Sequence, residues 1–207
     1  VRAVRGCCRD AARPARGGPG GLPAGWRCDP APGELLLRDS AGHLVEDPDW
    51  PGEFLLDVSS AQHRADVLAV LGPWIDGCAA AGFDAVEPDN LDSWTRSDGL
   101  LTAADAARAV VARAHAAGLA VAQTNAPELT GADLGFDYAV AEDCQRSDEC
   151  HTYTAAYGGA VLEVEYTAAA FDRACRLRAD TVSLVRRDVG VSVPGDPDYV
   201  AAWCPAR

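Results

Sequence analysis

The sequence predicts an α/β fold, a (β/α)8 barrel that is incomplete, with about six recognisable βα units and its first two strands not identifiable. Three observations predict it. Short, mostly apolar stretches alternate with stretches of helical period, the pattern of parallel strands covered by helices. Polar residues recur at the C-terminal ends of these strands: Asp57, Glu87, Asp89, Asn125, Glu142 and Glu165. In a barrel that edge is the active face. No Gly-rich phosphate loop follows any strand, which weakens the competing doubly wound nucleotide-binding sheet.

The elements follow in order. Residues 1–33 are rich in Arg, Gly and Pro without strand or helix period, and are expected to be an irregular or poorly ordered leader. Residues 34–207 then form the barrel domain. Phe54 to Val58 is the first strand. Residues 63–81 carry apolar Val67, Val70, Leu71, Trp74, Ile75 and Cys78 at helical spacing. Pro73 should kink that helix or restart it, and Gly82 should cap it. Phe83 to Glu87 is the next strand. Thr102 and Asp105 resemble a capping box for a helix with Val110, Val111 and Ala114 on its inner face, ending at Gly118. Strands follow at Leu119 to Gln123, Phe136 to Ala141, Val161 to Val164 and Thr181 to Val185.

Composition narrows the function. The 207 residues suffice for one substantial core. The net charge is −13, although residues 1–27 hold six Arg against one Asp, so the body is strongly acidic. An acidic body argues against nucleic acid and suits a neutral or cationic ligand, solubility being the bland alternative. No run of 18 apolar residues exists, so no membrane partner is expected. The chain opens at Val1 without an apolar signal region. Cys144 and Cys150 lie six apart with no His at finger spacing, which favours a disulfide over zinc and fits a secreted setting. Cys175 and Cys204 could form a second bridge. Connectivity is not fixed by sequence, and buried thiols are the alternative. No metal or cofactor is expected, and the chain is expected to be a monomer.

Several carboxylates around one mouth suit hard-metal binding or glycoside cleavage, which needs one carboxylic acid and one carboxylate. None of the four His residues ends a predicted strand, which removes most His-based schemes. Trp94 after Asp89, and Tyr166 after Glu165, offer flat rings for sugar faces, with core packing as the alternative. Asp57 could bind substrate or cap a strand end. Asp92 reads as a helix or turn cap, and Asp84 and Asp137 as caps on the far end of the barrel.

Longer motifs carry a resemblance. Gly82-Phe83-Asp84-Ala85-Val86-Glu87-Pro88-Asp89-Asn90-Leu91-Asp92-Ser93-Trp94 resembles the signature of glycoside-hydrolase family 114, the endo-α-1,4-polygalactosaminidases. Leu101 to Asp105, Phe136 to Cys144 with Glu149-Cys150, Val164-Glu165-Tyr166, and Trp50 to Glu53 with Leu56-Asp57-Val58 are similar to four more of its segments, in the same order. The resemblance spans roughly 34–204. It implies a (β/α)8 barrel that hydrolyses α-1,4-linked galactosamine polymers at internal bonds. The family's catalytic pair falls on Asp89 and Glu142. Glu87, Asn90, Asn125, Glu165 and Tyr166 match neighbouring positions and would bind sugar, with Asp57 and Trp94 beside them. Glu142, flanked by apolar residues, is the expected acid and Asp89 the nucleophile or base, with the reverse assignment as the alternative. A separation of roughly 5–5.5 Å, suited to a covalent intermediate, is expected. Members also carry two strands before Trp50 that residues 1–33 do not display. The alternative is therefore a truncated, catalytically weak or inactive carbohydrate-binding remnant. A metal hydrolase using Asp57, Glu87, Asp89 and Glu142 is the other-class alternative.

Overall fold

The structure, a computed structural model, describes residues 35–102 and 104–205 (backbone alone at 104 and 105) and the backbone of three short strands before them. Those strands are β1 (Arg2–Ala3), β2 (Cys8–Asp10) and β3 (Trp26–Cys28). The pair β2–β3 is antiparallel, and β1 pairs antiparallel with β4 (Phe54–Leu55). The remainder of the expected irregular leader lies outside the described residues, as does the side-chain pairing of Thr102 with Asp105.

A six-stranded sheet forms the body, in the order β10-β9-β8-β7-β6-β5. Strands β5 (Ala85–Val86), β6 (Ala120–Thr124), β7 (Tyr138–Glu142), β8 (Val161–Glu165) and β9 (Ser183–Arg187) run parallel, each beside its neighbour in sequence. Helix α1 (Ala61–Ala80) precedes β5, α2 (Ala104–Ala116) joins β5 to β6, α3 (Cys144–Ser147) and α4 (Cys150–Tyr157) join β7 to β8, and α5 (Ala168–Arg178) joins β8 to β9, while a 3-10 turn at Pro127–Leu129 lies between β6 and β7. This is the expected α/β class, an arc of an incomplete barrel.

One expectation is corrected and one element is added. Phe54 to Val58 does not join the parallel sheet. The Asp39–Gly42 turn, in which Asp39 Oδ1 accepts from Ala41 and His43 N–H, folds Leu35–Leu37 back as an antiparallel partner. Leu37 N–H donates to Leu55 O, Leu55 N–H to Val45 O, and Asp57 N–H to Leu35 O, so the backbone groups there are already committed. Strand β10 (Ala201–Trp203) adds an antiparallel edge after β9 that three residues could not announce in sequence.

Local signals explain the helices. Ser60, in extended conformation, caps α1 by accepting from His63 N–H, and Thr167 caps α5 through Ala170 N–H. Pro73 sits inside α1, which runs unbroken from Ala61 to Ala80, so of the two expected effects, a kink or a restart, the restart does not occur. Gly82 ends the helix in the left-handed region at φ 83°, which a side chain would disfavour. Ile75 of α1 meets Val110, Val111 and Ala114 of α2 over Val121 of β6. Phe171 and Ala174 of α5 cover Leu184 of β9. Each of the Val, Leu, Ile and Phe side chains among these contributes roughly 1.5–3 kcal/mol when fully buried. Disulfides join Cys144 to Cys150 (Cα atoms 4.8 Å apart) and Cys175 to Cys204 (5.5 Å), as the sequence suggested.

Strand alternation then sorts the residues. On β7, Ala139 and Ala141 pack against Tyr153 of α4, so Tyr138, Val140 and Glu142 face the opposite, inner side. On β8, Glu163 pairs with Arg178 of α5, so Leu162 and Val164 face inward.

Candidate active site

Strand β6 delivers Thr124 and Asn125 to the C-terminal edge. Asn125 and Ala126 are both left-handed, at φ 49° and 52°, and Pro127 follows. Asn tolerates that conformation through its short polar side chain. The turn carries the Asn125 amide across to β7. Its Oδ1 accepts Glu142 N–H (2.9 Å), and its Nδ2 donates to Glu142 Oε2 (2.9 Å).

Those two bonds fix the chemistry of Glu142. A backbone N–H can only donate, so the group facing it is the Asn125 oxygen, and the group facing Glu142 Oε2 is the NH2. Oε2 is therefore an acceptor. Oε1 meets the Tyr166 hydroxyl, which can donate or accept. A proton carried by Glu142 thus sits on Oε1, on the Tyr166 side. Burial, and then the bond to Glu142, push the Tyr166 hydroxyl above its ordinary pKa, so it keeps its own proton.

Strand β5 ends in Glu87-Pro88-Asp89-Asn90. Thr124 donates to Glu87 Oε1 at 3.0 Å. The Glu87 carboxyl is held above its usual value, first by partial loss of water, with the Thr124 bond opposing and the charges of Asp89 and Glu142 reinforcing. Three carboxyls therefore share one field. Asp89 Oδ1 accepts from Asn90 N–H at 2.6 Å. Arg96 is bound to Asp92 (2.7 Å) and to the buried Asp47 (3.1 Å).

An open cavity of about 480 Å³ lies at this edge. Asp89, Asn90, Asn125, Glu142 and Tyr166, all expected site residues, line it, and Glu87 joins through Thr124. Three expected residues lie elsewhere. Asp57 accepts from Ser59 and meets His63 (2.9 Å) at the start of α1. Trp94 packs beside Leu37, Leu55 and Leu101. Glu165 is fully buried on the helix side, where Oε1 accepts from Gln145 N–H at 2.7 Å. Its parity explains the miss, since it shares a face with Val161 and Glu163.

The cavity also takes Trp50, Glu53, Asp92, Arg96, Thr124, Val189 and Val191. Asp92 is not the turn cap expected, because its carboxylate binds Arg96 and its side chain makes no capping bond. The Asp92–Arg96 spacing of four was the available signal. Asp137 accepts from Val121 N–H and His115 away from the mouth, as expected. The arrangement presents Glu53, Asp89, Asp92 and Glu142 against one guanidinium already paired, a surface suited to a cation-bearing ligand.

Among the described residues one group, Cys144, Cys150, Glu163 and Glu165, brings metal-type ligand atoms within 4.8 Å of one another. Both sulfurs are in a disulfide, and Arg178 donates twice to Glu163 (2.7 and 2.9 Å). The group lies behind β8 and not in the mouth.

A family model described as glycoside-hydrolase family GH114 matches residues 27–207. A solved structure, Ega3 of Aspergillus fumigatus in complex with galactosamine, is similar with a TM-score of 0.62 and 26% sequence identity, covering 80% of this chain and 70% of that one. No curated protein matches the chain.

Proposed function

The chain belongs to glycoside-hydrolase family GH114; from that premise we propose that this glycosidase cleaves an α-1,4-linked galactosamine-type polysaccharide with Asp89 and Glu142 as its working carboxyls. The observation that carries the reading is that both carboxyls line one acid-rich cavity at the C-terminal edge of the parallel strands. Galactosamine bound to the similar Ega3 supports the amino-sugar class. An unacetylated amino sugar is cationic, and the mouth's surplus of carboxylates offsets that charge.

In the proposed reaction the Glu142 proton moves from Oε1 to the departing glycosidic oxygen as the bond to the anomeric carbon breaks. Asp89 attacks that carbon from the other side or deprotonates the attacking water. Asn125 and Tyr166 hold Glu142 without touching the sugar carbon. Asn90 gives Asp89 a fixed donor. Two disulfides and the family resemblance favour an extracellular setting, and no helix among the described residues is long and apolar enough to cross a membrane.

Incubation of the chain with α-1,4-galactosamine oligomers tests the reading. Shorter oligomers should accumulate, at a rate that chelators leave unchanged. Intact oligomers after prolonged incubation of folded protein would contradict it. A binding-only reading has one observation in its favour: Leu162, on the inner face of β8, is 44% exposed where a closed barrel packs side chains. Retention of oligomers without product would support that reading.

A further inference from the structure

Behind the mouth, on the helix side of β6, Gln123 is completely buried. Its Nε2 lies 3.0 Å from Asn125 O, 2.9 Å from Ala126 O and 3.0 Å from Thr130 Oγ1. The two carbonyls can only accept, so the amide orientation is determined. Its Oε1 accepts from the Tyr157 hydroxyl of α4 at 2.7 Å. Every polar atom of this side chain is therefore engaged, and two of its bonds end on the consecutive left-handed residues of one turn.

That turn is costly. Left-handed Asn is tolerable, but left-handed Ala126 places Cβ against its carbonyl, at roughly 1–2 kcal/mol. Such a conformation persists only where its surroundings over-determine it. Asn125 N–H bonds Val140 O (2.9 Å), and Gln123 takes the two carbonyls that follow. The turn is what sends the Asn125 side chain to both the backbone and the carboxylate of Glu142.

We infer that Gln123, clamped by Tyr157, is a positioning residue for Glu142 that acts through the Asn125–Ala126 turn. The inference rests on the reading of Glu142 as a working carboxyl. Gln123 touches no substrate. It sets the turn, the turn aims Asn125, and Asn125 holds Oε2 so that the proton of Glu142 is confined to Oε1.

The first measurement needs no activity. Hydrogen exchange followed by NMR should show the Glu142 amide, bonded to Asn125 Oδ1, exchanging about tenfold faster in Gln123→Leu. The Ala139 amide, bonded to Ala160 O, should be unchanged. Tyr157→Phe removes only the clamping hydroxyl and should give a smaller change at Glu142 alone, which covers the case in which the leucine variant fails to fold. Equal acceleration at both amides, or none at Glu142, would overturn the inference. The second measurement is a double-mutant cycle on galactosamine oligomers. Gln123→Leu should lower kcat about 10–100-fold with KM nearly unchanged. It should add little once Asn125→Ala is present. Additive losses, or a loss in KM alone, would overturn the inference. A wild-type chain that leaves the oligomers intact would instead sink the substrate reading, with the exchange result still deciding the role of Gln123.

Discussion

The two faces of strands β6 to β8 carry similar residues under opposite conditions. On the helix side, Gln123, Glu163 and Glu165 are buried almost completely. Arg178 binds Glu163 through two donors and Gln145 Oε1 at 3.0 Å, and the Cys144–Cys150 bridge seals the region. On the inner side, Thr124, Glu142 and Tyr166 line an open cavity. Burial with extensive pairing, Glu165 Oε2 excepted, makes the outer face a scaffold. Partial exposure with lone pairs left toward a cavity makes the inner face able to meet a ligand. A carboxylate at a strand end is therefore not enough to mark a site, because its parity decides which role it takes.

Breaking the outer face at the Arg178–Glu163 pair, away from the Gln123 clamp, should cost stability and leave the chemistry. Arg178→Met strands the buried Glu163 carboxylate, and removal of one partner from such a pair costs about 3–5 kcal/mol. Denaturant unfolding should show that loss, with kcat of the remaining folded protein within a few-fold of wild type. A large fall in kcat at full folding would blur the two faces.

The inner face should respond the other way. Tyr166→Phe removes the hydroxyl at Glu142 Oε1, where the proposed proton resides. We expect kcat to fall about 10–100-fold, less than the roughly 10²–10⁴-fold of a whole acid–base contribution because Glu142 itself remains, with the unfolding midpoint little changed. An altered alkaline limb in the pH–rate profile, where a general acid loses its proton, would sharpen the assignment.

The smallest effect concerns pH. Glu165 and Glu87 both have raised carboxyl pKa values, mainly through lost hydration, opposed for Glu165 by Gln145 N–H. A raised folded value means that the folded state binds the proton more tightly. The associated stability is complete below the ordinary value of 4.5 and is lost as pH rises through the folded value. Glu165→Gln should therefore gain stability over wild type above pH 4.5 and not below it. Glu87→Gln should show the same sign with a smaller size, because Glu87 is exposed to screening solvent. Thermal melts across roughly pH 4 to 7, from below the ordinary carboxyl value upward, check the order. A gain that does not depend on pH would contradict it.

Much of the fold was legible because parallel strands are written as apolar runs. The five parallel strands lie within two residues of their expected positions. The mouth was legible where it sits in contiguous sequence, from Glu87 to Asn90 and at Asn125, Glu142 and Tyr166. What escaped depends on pairing across distance. The hairpin at Leu35–Leu37 that captures Phe54–Leu56 reads as a plain apolar run. The Arg178–Glu163 and Arg96–Asp47 pairs join residues 15 and 49 positions apart. Glu165 was misassigned by counting strand ends without counting parity.

The central claim is that Glu142 supplies the proton and Asp89 the opposing carboxylate. One comparison tests it: kcat of wild type, Asp89→Asn and Glu142→Gln on galactosamine oligomers, with either the natural sugar or an activated aryl leaving group. With the sugar leaving group, both variants should lose about 10³-fold or more. An aryl group departs without a proton, so Glu142→Gln should recover most of its rate there and Asp89→Asn should not. Near-native rates in both variants, or recovery by Asp89→Asn in place of Glu142→Gln, would contradict the account.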